Sequence, residues 1–105
     1  MQPEVSIIIP AYNAQDTIGK CLDSVMSLEY PKEKLQVIVV DNNSEDSTID
    51  IIGRYPVECE IEKRRYLGAV RNKGILKAKG EFIAFVDADC IADKFWLQNL
   101  IKGFD

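Results

Sequence analysis

Four short apolar runs, separated by stretches of helical spacing, constrain this chain more than any other feature. The runs are VSIII at 5–9, LQVIVV at 35–40, VECEIE at 57–62 and EFIAFV at 81–86. The first, second and fourth are almost continuously apolar, the pattern of strands covered on both faces. The third alternates apolar and acidic residues, as an edge strand with one wet face does. Pro10 reads as the end of the first strand. A helix is predicted over 16–28, where Ile18, Cys21, Leu22, Val25 and Met26 share a face. Ser44 or Asp46 caps a short helix to Arg54. A third helix covers 66–79, with Leu67, Val70, Gly74 and Ala78 as a narrow stripe and Gly80 as its C-terminal stop. Asp93 caps the last, over 94–103.

The order β-α-β-α-β-α-β-α predicts an α/β fold: a parallel sheet with helices on both faces. Right-handed crossovers favour the strand order 3-2-1-4, a Rossmann-like, three-layer α/β/α arrangement. Strands one and four are then neighbours, and the winding reverses between them. Ligands bind in that crevice, beyond the carboxyl ends of the strands. Pro10-Ala11-Tyr12-Asn13 and Asp87-Ala88-Asp89 both leave the sheet there, and Asp41-Asn42-Asn43 leaves one strand further out.

The 105 residues suit one domain, spanning 1–105. A net charge of -4 argues against nucleic acid as a partner, because phosphate binding needs a basic face. No apolar run approaches the roughly 18 residues of a membrane span, and no basic region precedes the first apolar run, so neither a membrane segment nor a secretory signal is expected. Three cysteines without CxxC spacing suggest reduced thiols in the cytoplasm. The chain has no histidine, so a metal would be held mainly by oxygen and a general base would be a carboxylate.

Asp87 and Asp89 are one residue apart at the end of an apolar strand. Adjacent carboxylates repel unless a cation lies between them. Mg²⁺ or Mn²⁺ is the natural partner, since such an ion takes one or two protein carboxylates and completes its shell with water and substrate phosphate. A D-x-D pair can equally be the cap of the next helix. Tyr12 can be a packed loop aromatic or a stacking platform, Asp41 a turn residue or a ligand, and Arg71 part of a solvated basic helix face. Cys90 reads as a small filler and Trp96 as core. No GxGxxG or Walker lysine loop is present.

The segments VSIIIPAYNAQDTIGKCLDSV, VIVVDNNSEDST and LGAVRNKGILKAKGEFIAFVDADC, in that order, resemble the nucleotide-sugar-binding half of family 2 glycosyltransferases, which have the GT-A fold. The resemblance implies that Pro10, Ala11 and Tyr12, with Asn13 in the same loop, pack around a nucleoside. It implies that Asp41 reads the base edge, usually uracil, with Asn42 assisting. Arg71, in the RN pair, is similar to a basic residue near the nucleotide. Asp87-Ala88-Asp89 matches the DxD-type motif, with Asp87 by the ribose and Asp89 on a Mn²⁺ or Mg²⁺ ion that bridges the diphosphate. The implied ligand is a nucleotide sugar, a UDP-sugar above others.

Family 2 enzymes are much longer, and the acceptor site and general base of an inverting displacement are expected outside this chain. The competing expectation is a non-catalytic nucleotide-binding or assembly module that keeps the fold without activity. A Mg²⁺-dependent phosphatase is a weaker third reading, because its motif follows an early strand. A calcium loop lacks its glycine and terminal glutamate. A bare fourth-strand edge predicts a homodimer or larger assembly.

Overall fold

The structure is a computed structural model and describes residues 2–103. Its parallel sheet has the order β3-β2-β1-β4, with β1 at Val5–Ala11, β2 at Leu35–Asp41, β3 at Glu58–Ile61 and β4 at Phe82–Phe85. The helices are α1 (Ile18–Met26), α2 (Thr48–Ile52), α3 (Leu67–Lys77) and α4 (Trp96–Lys102), and a 3₁₀ turn at Lys32–Lys34 leads into β2. Strand order and layering are those the alternation predicts.

The pleat divides the core in two. Ile7 and Ile9 of β1, Val37 and Val39 of β2 and Ala84 of β4 lie in one cluster with α1, α2 and α4, through Ile18, Leu22, Val25, Ile52, Leu97 and Ile101. Ile8, Ile38 and Val40 face the other way, under Val70 and Ala78. Ile7, Ile8 and Ile9 are fully buried, each worth about 1.5–3 kcal/mol of transfer free energy. Gly74 brings α3 down onto this smaller cluster: a Cβ there would lie 2.5 Å from Ile8 Cγ2.

Several local expectations are corrected. Pro10 does not end β1, which continues to Ala11. The Val86 N–H donates to the Ile8 carbonyl and the Asn42 N–H to the Ala11 carbonyl, so even-numbered β1 residues turn their backbone towards β4. The β1–β4 ladder stops at Ile8↔Phe85, so at Pro10 the missing N–H costs no ladder bond. Helix α1 is shorter than 16–28. Residues 14–17 form a turn closed on the Ala14 carbonyl, and the Ser27 and Leu28 amides close the other end.

Gly80 is not a helix stop either. Ala78 ends α3 in an extended conformation, and Gly80 is needed because a Cβ would meet Ser6 N at 2.5 Å. Leu67 is half exposed, and Ala69 takes its place in the α3 stripe. Strand β3 is exposed or half-buried throughout, since α3 packs on β1 and β2 rather than across it. Asp46, not Ser44, bonds the first turn of α2, accepting from the Thr48 N–H at 2.9 Å. Asp93 does not cap a helix from Lys94: α4 starts at Trp96 with Phe95 as its N-cap and no side-chain cap bond, and Asp93 instead accepts from the Phe95 N–H at 3.0 Å in the turn before it.

Candidate functional site

Three loops leave the carboxyl ends of β1, β2 and β4, and side-chain bonds lock the first two together. The Ser44 hydroxyl donates to Asp41 Oδ1 at 2.6 Å and accepts from the Asn13 N–H at 2.8 Å. The Ser44 N–H donates to Asp41 Oδ2 at 2.8 Å. Asn13 Oδ1 accepts the Glu45 N–H, and the buried Thr48 hydroxyl accepts the Ala14 N–H while donating to Asp46. Asn13 (φ 45) and Asn43 (φ 61) both sit in the left-handed region, which asparagine tolerates better than most residues. The Thr48 hydroxyl bond, first among its causes, holds the Asp46 carboxyl below its ordinary range.

Asp41 is therefore fully buried, with both carboxylate oxygens bonded to Ser44. Asn42 faces the third strand: its side-chain amide donates to the Glu62 and Arg64 carbonyls at 2.6 and 2.9 Å. Beyond it, Glu62 receives the Arg64 guanidinium at 2.9 Å and the Arg64 N–H at 3.0 Å. The Arg64 side chain, aided by that N–H, lowers the Glu62 carboxyl to about 2. The turn between β3 and α3 is thereby fixed against β2.

Two clefts meet at Asp87. The first, about 280 Å³, is lined by Pro10, Ala11 and Tyr12 from β1 and its loop, by Asn42, by Arg65, Tyr66, Leu67 and Val70 at the start of α3, and by Asp87 and Ala88. The second, about 460 Å³, lies on the other side of Asp87, between Arg71, Phe85, Cys90, Asp93 and Trp96. Five of the nine expected site residues thus share one cleft: Pro10, Ala11, Tyr12, Asn42 and Asp87. Arg71 does not join them. Its guanidinium lies 5.4 Å from the Phe85 ring centroid, in the second cleft. Asn13 and Asp41 support the cleft from behind. Asp89 lines neither cleft but lies beside Asp87.

Arg65, Tyr66 and Leu67 were not expected at the site. The sequence signal for Arg65 is faint: with Lys63 and Arg64 it forms a basic run that reads equally as a solvated face, and its contact with Tyr12 joins residues far apart in sequence.

One ligand atom each from Asp87, Asp89 and Cys90 can lie within 4.8 Å of the others, and all three residues are exposed. Among the described residues, neither carboxylate has an ion-pair partner. Beneath them the Cys21 thiol donates to the Asp87 carbonyl at 3.5 Å. Burial first, then the negative groups Cys90, Asp89 and Asp87, push that thiol up to about 11. Asp89 Oδ1 accepts from the Cys90 thiol at 3.8 Å, and two hard, exposed carboxylates with no cationic partner among the described residues fit Mg²⁺ or Mn²⁺.

The family model for glycosyl transferase family 2 matches residues 6–105. The chain is 42% identical over 103 residues to glycosyltransferase AglE of Haloferax volcanii, an alignment that takes in 92% of this chain and 34% of AglE. Its fold superposes on Staphylococcus aureus TarS in complex with UDP-GlcNAc with a TM-score of 0.82 at 31% identity, over 92% of this chain and 30% of that one. Against the mannosyltransferase PcManGT of Pyrobaculum calidifontis, in complex with GDP-Man and Mn²⁺, the TM-score is 0.81 at 30% identity, over 90% of this chain and 30% of that one. The chain spans 34% of AglE and a smaller share of the other two. No described helix is long and apolar enough to cross a membrane. With a doubly wound sheet, loops converging at its switch point and a family match over nearly every residue, the chain belongs to glycosyl transferase family 2.

Proposed function

We propose that this chain is the donor-binding part of an inverting glycosyltransferase and holds a UDP-sugar with Mn²⁺ or Mg²⁺. One observation carries the reading: the β1 loop, Asn42, the start of α3 and Asp87 enclose a single cleft, with Asp89 beside it. Pro10, Ala11 and Tyr12 pack around the nucleoside, and Asn13 keeps their loop in place. Asn42 stands at the base end. Asp41 reaches the base edge only when the 41–44 turn opens, because its side chain is fully buried and Ser44 bonds both its oxygens. Asp87 lies by the ribose and Asp89 holds the metal. A divalent ion held by Asp89 would supply positive charge to offset that of the departing diphosphate. Arg71, across Asp87, faces the side on which the diphosphate and sugar emerge.

Among the described residues, Asp93 is the nearest further acid behind the motif, and its carboxylate is already bonded ahead of α4. The chain spans 34% of AglE, and we assign the general base and the acceptor site to the part of such enzymes that these residues, read as one donor-binding domain, do not match. The free thiols of Cys21, Cys59 and Cys90 support a cytoplasmic setting. On the face of β4 opposite Ala84, Ile83 and Phe85 are each about 40% exposed, an apolar surface that supports association with a second copy. A monodisperse monomer by sedimentation at high concentration refutes that last point.

Calorimetric titration with UDP, with and without Mn²⁺, tests the reading. Binding that needs the metal and is lost in Asp89→Ala supports it. Metal-independent binding, or Asp89→Ala binding as wild type does, rejects the metal role. No binding under any condition favours the assembly-module alternative.

A further inference from the structure

We infer that Arg65 is a positioning residue that holds the Tyr12 ring ready to stack on a nucleobase; this rests on the donor-site reading above. The Arg65 guanidinium carbon lies 4.2 Å from the Tyr12 ring centroid, well inside cation–π range. A second loop holds it from behind. Arg65 Nη2 donates to the Asn43 carbonyl at 3.5 Å and lies 3.9 Å from Glu45 Oε1. Asn43 and Glu45 flank Ser44, the residue that ties the β2 loop to Asp41 and Asn13. Tyr12 is thus gripped through Arg65 by the same turn that fixes its own loop.

This grip matters because Tyr12 stands on a loop at the mouth of the cleft. The side chain is 45% exposed, and Arg65 makes the one cation–π contact to its ring among the described residues. A loop aromatic without a partner loses rotamer freedom on stacking with a ligand, whereas a held one has already lost it. A guanidinium covers only one face of a ring. A flat, uncharged base would take the other, and Tyr12 and Arg65 both line the cleft in which that base would lie.

Arg65 is also the cleft's one cationic side chain, so direct contact with phosphate is the rival role. The two separate by probe. The full chain is titrated in Mn²⁺ with UDP and with pyrophosphate, which has no base, for wild type, Arg65→Ala, Arg65→Lys, Tyr12→Leu and the double variant. Arg65→Ala is expected to weaken UDP roughly three- to tenfold and leave pyrophosphate unchanged. Arg65→Lys recovers part of the loss. In the Tyr12→Leu background, Arg65→Ala adds nothing. Equal losses for pyrophosphate make Arg65 a phosphate ligand and overturn the inference. Tighter UDP binding makes it a lid, and additive losses detach it from Tyr12; either result also overturns it.

Wild-type controls separate this failure from that of the donor reading. If wild type binds pyrophosphate and UDP equally, the metal site stands and no base is stacked. If it binds neither, the donor reading falls and takes this inference with it. Ring-current shifts of the Arg65 side-chain protons, measured without ligand and lost in Tyr12→Leu, check that the stack itself forms.

Discussion

Replacing Ser44 by alanine should cost far more than a surface serine normally does. Its hydroxyl donates to Asp41 Oδ1 at 2.6 Å, and Asp41 is fully buried. A hydrogen bond to a charged acceptor is worth about 1.5–3 kcal/mol, and the buried oxygen left behind has no route to water. The second lost bond, from the Asn13 N–H, is exposed, and water replaces most of it. The expected total is therefore about 2 kcal/mol, which in a domain of this size lowers Tm by about 8–16 °C. Urea unfolding followed by Trp96 fluorescence measures it, since Trp96 is the single tryptophan and packs against the larger core. The m-value should not change. Ser44→Thr keeps the hydroxyl and should recover most of the loss. A cost below about 0.5 kcal/mol, the level of an unremarkable surface change, refutes the idea that Ser44 satisfies Asp41.

Other outcomes follow from the same contacts. Gly80→Ala should destabilise by about 1–3 kcal/mol in the same assay, because its Cβ meets the backbone of central strand β1 rather than a movable side chain. Glu62 gives a pH signature. Its carboxyl falls from 4.5 to about 2 in the folded chain, chiefly through Arg64, so the ionised form favours folding. That contribution is full above the unfolded value and is lost as pH falls from 4.5 towards 2. The Tm gap between wild type and Glu62→Gln should be widest above pH 5 and close near pH 2; a gap independent of pH contradicts the assignment.

The sheet was legible because its evidence is local. VSIII, LQVIVV and EFIAFV announce buried strands, and β-α alternation with right-handed crossovers leaves few topologies. The same logic brought Pro10, Ala11, Tyr12, Asn42 and Asp87 to one place, since each lies at or just beyond the carboxyl end of a strand. What was missed depends on partners distant in the chain. Pro10 reads as a terminator until one sees that β4 has already ended beside it. Gly80 reads as a cap until Ser6 is seen pressed against it. Arg65 reads as one charge in a basic run until Tyr12 is found beneath its guanidinium. Asn13 and Asp41 look like ligands in sequence; in the fold they are first the two ends of a network centred on Ser44.

The central claim is that the cleft at the carboxyl ends of β1 and β4 holds a nucleotide diphosphate with a metal. Amide NMR mapping tests it most directly: the ¹⁵N-labelled chain is titrated with UDP and Mg²⁺, and then traces of Mn²⁺ are added. The account predicts shifts at Ala11–Asn13, Asn42, Arg65–Leu67 and Asp87–Cys90, with Mn²⁺ broadening Ala88, Asp89 and Cys90 first. Shifts confined to the opposite end of the sheet, where Glu4, Lys34, Gln36 and Lys79 line another cleft, or broadening that spares the Asp87–Cys90 loop, would contradict it.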